Sequence, residues 1–311
     1  MTASISKPTV AIAGATGHLG QHVASAFLSP PFRDQFSNII LLSRNKAALD
    51  TMSTYKGNFT ARIYNENNLQ DALQGVQILV NTVGPSGHTF KEKLARALPH
   101  TEVEVYFPSE FGVDHYVHDF PHLEWDQKKK HLTLAQAASD TKICRVFCGL
   151  FLDDSIGPWF GFDTKTGIYE SVGSFDSPIS FTSLDDVGRT VAALAALPRE
   201  RVPETVHVGG DTRSIAEIAA IMQDAGAGEI KVTDVPLVKY KSDATATTSW
   251  DPARYLRFLM GENKICHMAG GLGNDNELVN EMQRGWEWKT VADLARETKG
   301  QPWKDFPWTA Q

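Results

Sequence analysis

The sequence GATGHLG occupies residues 14–20, directly after the apolar, β-prone run PTVAIA at residues 8–13. Residues 21–28 (QHVASAFL), which follow the turn, carry apolar side chains at helical spacing. A pyrophosphate needs several backbone N–H groups directed at it and no bulky side chain in the way, and the N-terminus of a helix offers such groups together with a partial positive charge. Glycine also marks ordinary turns, but the strand before this turn and the helix after it favour a dinucleotide site.

The three glycines of the turn have different predicted roles. Gly14 permits the tight turn from strand to helix, Gly17 lets the backbone approach the phosphates, and Gly20 lets the helix pack closely on the strand. Their spacing is G-x-x-G-x-x-G, whereas many dehydrogenases have G-x-G-x-x-G. The residues that we expect to contact the dinucleotide here are Gly14, Thr16, Gly17, His18, Leu19 and Gly20.

Short apolar runs alternate with segments of helical periodicity through the first half of the chain. The predicted strands are residues 38–42, 76–84, 103–107 and 143–147, and the predicted helices are residues 69–73, 90–98 and 128–138. Such alternation requires crossover connections, which place helices on both faces of a parallel sheet. The fold class is therefore predicted as α/β, a Rossmann-type doubly wound parallel sheet.

This alternation ends near residue 152, and residues 157–178 are rich in glycine, aspartate and aromatic side chains. Further along, Ser183 and Ser214 are predicted N-caps of helices that run to about residues 197 and 222, because a serine hydroxyl satisfies a free N–H of the first turn. We predict a dinucleotide-binding domain over residues 1–155, to which residues 180–205 return. Residues 156–179 and 206–311 would form a smaller, discontinuous α/β substrate domain.

The residues after the second predicted strand decide which dinucleotide is preferred. Sites that prefer NAD usually have an acidic residue here, which accepts hydrogen bonds from the ribose hydroxyls. This chain has Arg44 and Lys46 instead, and a guanidinium and an ammonium suit a 2′-phosphate. A solvated basic turn is the alternative, but the sequence favours NADPH/NADP+ as the cofactor.

Two further strand ends are expected at the ligand-binding edge of the sheet. Thr82, Val83 and Gly84 end one strand, and Pro108 and Ser109 end the next. Ligands of open α/β sheets bind at the carboxyl ends of the strands. We therefore expect backbone contact with the cofactor at the first of these ends and proximity to the nicotinamide at the second, although both could be plain turns.

Three segments together resemble a known family: residues 14–20, residues 81–84 (NTVG) and residues 107–112 (FPSEFG), the last followed by Val113 and Asp114. They resemble the isoflavone reductase-like and phenylcoumaran benzylic ether reductase group of the NmrA-like family, which are atypical short-chain dehydrogenases/reductases. The similarity runs from about residue 9 to 151, and continues more weakly over residues 161–198, where residues 182–188 (TSLDDVG) look like a family segment. It implies a reductase that uses NADPH.

The proton-transfer residue is not the usual one of short-chain dehydrogenases. Those enzymes use Tyr-x-x-x-Lys, and no tyrosine here has a lysine four residues later. The resemblance implies that a helix lysine after the FPSEFG segment acts as acid and base, which corresponds to Lys129. Lys128 and Lys130 flank it, so the register is open by one residue, and three solvated lysines are the plain alternative.

Helical geometry supports Lys129, because it shares a face with Leu132 and Gln136. A lysine in a closed cleft loses hydration, which lowers the pKa of its ammonium and allows proton exchange near neutral pH. By resemblance, Phe151 flanks the nicotinamide, although it could equally belong to the core. Glu110 is expected to orient the local backbone or to form a structural ion pair.

Several aromatic and histidine side chains are weaker candidates. An aromatic substrate pocket or the core of the small domain could account for Trp159, Phe160, Phe162, Tyr169 and Phe175. The spacing of His115, His118 and His122 resembles that of metal ligands, but no cysteine or carboxylate completes a set, so a polar lid loop is preferred and no metal is predicted.

Composition excludes several classes of partner. The net charge is −7, and the only basic run, residues 128–130, is too short for a nucleic-acid surface. No apolar run has the length of a membrane span, and no leader peptide is recognisable. Three cysteines do not suggest a disulfide framework, so we expect a cytoplasmic protein, with monomer and homodimer both open.

The leading functional hypothesis is an NADPH-dependent reductase of a small aromatic or conjugated substrate: an enone, an aryl alkene, a quinone-methide precursor or a benzylic ether. Hydride transfer would take place in the cleft between the two domains, with Lys129 moving a proton. One alternative is a non-catalytic NmrA-like regulator, which binds NADP(H) and reports redox state to a partner protein. Another is an epimerase or dehydratase with a resident cofactor.

Overall fold

A parallel six-stranded sheet forms the centre of the first half of the protein. The computed structural model describes residues 7–44, 47–48, 55–138 and 140–305. The strands of this sheet are β1 (Thr9–Ala13), β2 (Asn38–Ser43), β3 (Thr60–Ile63), β4 (Ile78–Asn81), β5 (Val105–Phe107) and β6 (Lys142–Ile143). Their order is β3-β2-β1-β4-β5-β6, and every neighbouring pair is parallel. The α/β fold class predicted from the sequence is confirmed.

The register of this sheet brings the ends of its central strands together. Ala13 of β1 lies opposite Leu42 of β2 on one side and opposite Asn81 of β4 on the other. The segments that follow these residues therefore meet at one edge of the sheet. β1 and β2 are buried along nearly their whole length because helices cover both faces.

The remaining strands form smaller sheets. They are β7 (Arg145–Phe147), β8 (Leu150–Phe151), β9 (Phe162–Asp163), β10 (Ile168–Val172), β11 (Ile179–Thr182), β12 (Thr205–His207), β13 (Asp211–Arg213) and β14 (Lys231–Val235). β7 follows β6 after Cys144 and pairs with β12 in parallel. The other two sheets have the orders β14-β10-β9 and β13-β11-β8.

The α-helices are α1 (His18–Leu28), α2 (Leu69–Ala72), α3 (His88–Ala97), α4 (Leu123–Ala135), α5 (Leu152–Ser155), α6 (Leu184–Ala195), α7 (Ile215–Asp224), α8 (Leu237–Thr245), α9 (Ala253–Gly261), α10 (Asn276–Val279) and α11 (Val291–Thr298). Short 3-10 helices are found at Arg33–Gln35, Pro85–Gly87, Leu98–His100, His115–Val117, Pro158–Phe160, Arg199–Arg201 and Glu281–Gln283.

Two of the hydrophobic clusters lie on opposite faces of the main sheet. One includes Val10 and Ile12, whose side chains point away from those of Ala11 and Ala13 in the other. On the first face α1 packs closely against α6, since a Cβ on Gly188 would lie 2.6 Å from the carbonyl oxygen of His22. On the second face α3 packs against α4. The sheet is thus covered on both sides, as the alternation of strands and helices predicted.

A third hydrophobic cluster is built mainly from the second half of the chain. Phe162 and Tyr169 are fully buried in it, and residues of α7, α9 and α11 surround them. Val113 and Trp125, from the first half, also belong to this cluster. The division into domains at residues 155 and 180 remains a prediction.

The predicted boundaries of helix 128–138 are wrong at both ends. The helix starts at Leu123, because the side chain of His122 caps it by accepting a hydrogen bond from the Trp125 N–H at 3.4 Å. It ends at Ala135. The edge strand β3 was not predicted, because its side chains are largely exposed and give no apolar pattern. In the described part of the chain, no helix combines the length and the apolar character that a membrane crossing demands.

Candidate functional site: a cleft at the edge of the sheet

A cavity of about 1010 Å³ lies at the carboxyl edge of the main sheet. One part of its wall comes from the turn that joins β1 to α1 and from the end of β2, including Gly14, Gly17 and Arg44. Another part comes from α4, from the Pro158–Phe160 turn and from α9. We call these two parts of the wall the turn side and the aromatic side of the cleft. One continuous cavity therefore joins the glycine-rich turn to side chains from distant parts of the chain.

The glycine-rich turn is packed so tightly that side chains are excluded at two positions. Gly14 has a φ of +83°, and a Cβ there would lie 2.9 Å from the backbone of Thr82. A Cβ on Gly20 would lie only 1.9 Å from the carbonyl oxygen of Gly14. Thr82 locks this contact by donating its hydroxyl hydrogen to the carbonyl oxygen of Ala13 at 2.8 Å. At Gly14 and Gly20 the turn therefore has room for backbone alone.

The N-terminus of α1 has the properties of an anion site. Gly17 precedes its first residue, no side chain caps its N–H groups, and no acidic residue lies in its first turn. The first N–H groups of a helix have no partner within the helix, and the dipole gives this end partial positive charge. With Gly17 and His18 on the wall of the cavity, this end of the helix fits a pyrophosphate.

A cation stands where the second strand ends. Arg44 follows β2, is exposed, and lines the cleft beside Ser43. Of the two carboxylates among the described wall residues, Asp154 is hydrogen-bonded to His18 at 2.7 Å and Glu124 lies 3.9 Å from Lys128. The guanidinium of Arg44 therefore suits a 2′-phosphate better than a free ribose hydroxyl. Lys46, the other predicted cation, lies outside the residues that the structure describes.

The other predicted cofactor residues are mostly on the wall. Besides those of the turn, the cleft is lined by Thr82, Val83, Gly84, Ser109 and Phe151. The Ser109 hydroxyl donates to the carbonyl oxygen of Val83 at 2.8 Å, which ties the ends of β4 and β5 together. Pro108 and Gly20 are not among the lining residues. Gly20 is buried and packs against the carbonyl oxygen of Gly14.

The structure brings Lys128, not Lys129, to the wall of the cleft. The Lys128 side chain is 13% exposed and its Nζ lies 3.9 Å from Glu124, whereas Lys129 is 35% exposed and its Nζ lies 3.8 Å from Asp126. Lys130 is 51% exposed and pairs with Glu92 at 2.8 Å. The predicted residue, Lys129, lies one position after the lysine that faces the cleft.

A signal for that buried face was present in the sequence. Trp125 and Ala135 are apolar, and both are buried in the structure together with Glu124 and His131. Lys128 lies one turn after Glu124 and three residues before His131, so it shares their side of α4. If Trp125 and Ala135 are taken to mark the buried face of the helix, Lys128 is the lysine of the run that lies on that face.

A second lysine on the wall was missed by the sequence analysis. Lys91 of α3 is only 2% exposed, and its Nζ has no hydrogen-bond partner within the described chain. Burial, and then the charge of Lys128, lower the pKa of the Lys91 ammonium to about 8. Its helical neighbours Leu94, Ala95 and Leu98 are buried, so a lysine in this apolar stripe is the signal that could have found it.

Glu110 of the FPSEFG segment lies behind the wall. Its carboxylate is buried, which raises the pKa of the group, and it accepts a hydrogen bond from the Tyr116 hydroxyl at 3.2 Å. His115 Nε2 lies 3.3 Å from the other carboxylate oxygen. The charges of Lys128 and Arg145 favour the ionised form of Glu110. Burial outweighs these charges, so the pKa of Glu110 stays above its ordinary value.

The predicted aromatic residues separate into two groups. Trp159 and Phe160 line the cleft, and Trp125, Leu256 and Trp303 join them there. The other three predicted residues do not line it: Phe162 and Tyr169 are fully buried in the third hydrophobic cluster, and Phe175 is exposed. Phe162 of β9 and Tyr169 of β10 lie opposite each other in neighbouring strands, and their rings contact each other within that cluster.

The three histidines that resembled metal ligands have other surroundings. Burial is the largest cause of a lowered pKa for His115, His118 and His122 alike. His118 and His122 stack their rings against Phe120 and Trp125 respectively. Among the described residues, no group of three or more histidine, cysteine or acidic side chains could hold a metal ion.

Comparison with known proteins identifies the family. A model of the NmrA-like family matches residues 6–251. A curated protein of Gibberella moniliformis, named an NmrA-like family domain-containing oxidoreductase, is 30% identical over 135 residues, which are 42% of this chain and 45% of that protein. The chain thus matches less than half the length of this relative.

Solved structures with the same fold align over nearly the whole chain. Leucoanthocyanidin reductase of Vitis vinifera, solved with NADPH, has a TM-score of 0.73 at 16% identity, covering 94% of this chain and 99% of that one. AtPrR2, solved with NADP+ and (+)pinoresinol, has 0.75 at 18% identity, with coverages of 94% and 98%. An isoflavone reductase has 0.75 at 17% identity, with coverages of 94% and 99%. At these identities the similarity establishes the fold.

Proposed function

The chain belongs to the NmrA-like family, and on that premise we propose that it is an NADPH-dependent reductase of a small aromatic or conjugated molecule. The observation that carries the proposal is the continuous cleft, which joins the glycine-rich turn to Lys128 and to a group of aromatic side chains. A cofactor held on the turn side would have its reactive end directed along the cleft to the aromatic side. That arrangement suits transfer between a dinucleotide and a small apolar substrate.

The turn side fits two phosphate groups of NADPH, the pyrophosphate and the 2′-phosphate. The backbone of Gly14 and Gly17 and the uncapped N-terminus of α1 suit the pyrophosphate. Arg44 suits the 2′-phosphate, to which a guanidinium binds through two hydrogen bonds. When bound there, NADPH supplies a hydride. The neighbour solved with NADPH and the one solved with NADP+ share this fold, which agrees with the assignment.

We assign the proton transfer to Lys128. Its ammonium lies on the wall of the cleft, and Glu124 keeps the side chain oriented from one helical turn earlier. Lys128 donates a proton to the substrate oxygen on which negative charge develops as hydride adds to the conjugated system. The aromatic residues around it, including Trp125 and Phe160, exclude water and hold the substrate flat. Phe151 on the wall suits contact with the nicotinamide.

The direct test is to supply NADPH with a panel of enones, aryl alkenes, quinones and benzylic ethers. We expect NADPH to disappear in a one-to-one ratio with a reduced product for at least one class. Binding of NADPH without consumption in every class would overturn the reductase and favour the NADP(H)-sensing regulator. Conversion of a substrate with no net consumption of NADPH would instead favour an epimerase or dehydratase.

The role of Lys128 is tested by a matched pair of variants. Lys128→Met should lower kcat about 100-fold or more, because general acid catalysis typically contributes factors of ~10²–10⁴, and it should keep the affinity for NADPH. Lys129→Met, one residue along the same helix, should leave kcat within about twofold, as expected for a side chain off the wall. The opposite pattern would return the role to Lys129.

A further inference from the structure

We propose that Lys91 is a binding site for an anionic oxygen of the substrate, so that the natural substrate is an aromatic or conjugated acid, carrying a carboxylate or an ionised phenol. This inference deepens the proposed function by naming the substrate class. It rests on the proposed function only in treating the bound anion as a substrate, because anion binding at Lys91 can be measured without any turnover.

The first observation is a buried ammonium without a hydrogen-bond partner. Lys91 lines the cleft and is 2% exposed, and its buried Nζ has no hydrogen-bond partner in the described chain. A buried ammonium without a partner is costly, because three N–H donors lose water and gain nothing in exchange. A ligand oxygen in the cleft is the group that would complete this site.

The second observation is that neither nearby carboxylate is hydrogen-bonded to the Nζ of Lys91. Glu124 lies 3.9 Å from the Nζ of Lys128, and Glu110 accepts from Tyr116 and faces His115. Both carboxylates act on Lys91 only through space, because neither forms a hydrogen bond or an ion pair with its Nζ. The ammonium of Lys91 can therefore form its ion pair with an anionic ligand in the cleft.

The third observation separates Lys91 from the turn side. The charged groups that act on its Nζ are Lys128, Glu124 and Glu110, which belong to α4 and to the FPSEFG segment. Arg44 and the glycine-rich turn contribute nothing to this set. The ammonium of Lys91 thus belongs to the Lys128 region of the cleft, where the aromatic side begins, and two cations next to aromatic walls suit an aromatic anion.

The pH dependence of binding follows from the same surroundings. In the free protein the pKa of Lys91 is lowered to about 8, by burial and then by Lys128. An anion beside Lys91 favours the protonated form, so affinity for an anionic ligand should fall as the pH rises above about 8. His88 and His131 also face Lys91, but burial lowers the pKa of each to about 4, so neither titrates in this range.

The experiment compares anionic ligands with neutral partners of the same shape. Cinnamate is paired with cinnamamide, and pentafluorophenolate with pentafluoroanisole, in calorimetric titrations of the full chain with and without NADP+. Lys91→Met should weaken binding of at least one anion roughly 10- to 100-fold, the range for a hydrogen bond to a charged group, and leave its neutral partner within about twofold. Lys93→Met is the control, since Lys93 lies on the same helix but pairs with Glu66 at 3.2 Å.

Each outcome has one meaning. A loss for cinnamate alone identifies a carboxylate, and a loss for pentafluorophenolate alone identifies a phenolate; both support the site. Equal losses for an anion and its neutral partner, or no loss at all, overturn it. A loss of NADPH affinity in Lys91→Met with unchanged cinnamate binding also overturns it. Anion binding that depends on Lys91, in a protein that never consumes NADPH, would instead overturn the reductase and leave the anion site standing.

Discussion

The two sides of the cleft are built by different means. On the turn side, the wall comes from the turn after β1 and the end of β2, within one βαβ unit, and its shape depends on the absence of side chains at Gly14 and Gly20. On the aromatic side, the wall is made of side chains from segments far apart in sequence, such as Trp125, Phe160 and Leu256. Both sides belong to one cavity, yet the first is local in the sequence and the second is not.

The two sides therefore differ in what they recognise: the turn side suits a class of cofactors, and the aromatic side suits a particular ligand. A backbone turn at a helix N-terminus recognises phosphates by groups that every residue possesses, so it suits one class of cofactor. Side chains such as Lys91, Lys128 and Trp159 recognise a ligand by size and charge. Substitution of the glycines on the turn side should therefore lower both the stability of the fold and the affinity for the cofactor. Substitutions on the aromatic side should alter substrate turnover and leave cofactor affinity unchanged.

The most severe test of this contrast is Gly20→Val. Its Cβ would lie 1.9 Å from the carbonyl oxygen of Gly14, so α1 must move away from the strand. We expect a loss of about 3 kcal/mol or more in the free energy of unfolding, since overpacking of rigid backbone exceeds the usual ~1–3 kcal/mol, together with loss of NADPH binding. Urea denaturation and fluorescence titration with NADPH measure the two effects.

Ser25→Val is the matched control, because Ser25 is exposed on the same helix. It should cost no more than about 0.7 kcal/mol, the spread of ordinary helix propensities. A Gly20→Val protein as stable as the wild type, and with unchanged NADPH affinity, would show that the turn side does not depend on the missing side chain.

The next largest effect is expected from Arg44→Met. Loss of the guanidinium should weaken NADPH binding roughly 10- to 100-fold, the range for a charged hydrogen-bonding group, and leave NADH binding within about twofold. Equilibrium titrations with both cofactors measure the ratio. Lys56→Met, an exposed lysine elsewhere in the first half, should change neither affinity. An equal loss for NADPH and NADH would assign Arg44 to the part that the two cofactors share.

A smaller and separate effect is expected on the aromatic side. Phe160→Leu keeps an apolar side chain but removes the flat ring from the wall. It should lower kcat/KM about threefold to tenfold, as small changes in apolar contact do, while the dissociation constant of NADPH stays within about twofold. Phe175→Leu, at an exposed aromatic residue off the wall, should change neither quantity. A Phe160→Leu protein with weakened NADPH binding would break the proposed independence of the two sides.

The smallest effect concerns the helices next to the turn. His22 of α1 and Asp185 of α6 lie 2.7 Å apart, and this hydrogen bond raises the pKa of His22 above 6.5 and lowers that of Asp185 below 3.8. The His22 contribution is present below pH 6.5 and is lost as the pH rises through the raised pKa. The Asp185 contribution is present above pH 3.8 and is lost as the pH falls through the lowered pKa.

The pair should therefore stabilise the fold most between about pH 4 and 6.5, by only a few tenths of a kcal/mol, because Asp185 is largely exposed. Unfolding of wild type and His22→Gln across this range measures the difference, with His100→Gln, on an exposed turn, as the control. A difference that grows as the pH rises above 6.5 would reverse the expected sign.

Much of the turn side could be predicted from the sequence. The strand, the glycine-rich turn and the helix were predicted in the right order, and Thr82, Val83, Gly84 and Ser109 are on the wall as expected. The aromatic side was predicted only in part. Phe162 and Tyr169 were candidates of the same kind as Trp159 and Phe160, yet they face the core. An aromatic ring has the same composition signature in a core and in a pocket, so sequence alone does not separate the two.

The sequence by itself determined the parallel α/β sheet, the glycine-rich turn and the cation after β2, because these depend on local periodicity and on backbone geometry that glycine alone allows. Trp125 and Ala135 indicate the buried face of α4 in the sequence, but only the tertiary structure shows that this face, with Lys128, lines the cleft and that Lys91 lines it too. The physical reason is that a helix shows its buried face through packing against distant segments. A difference of one residue turns a side chain by about a hundred degrees, enough to take Lys129 off the wall and bring Lys128 onto it.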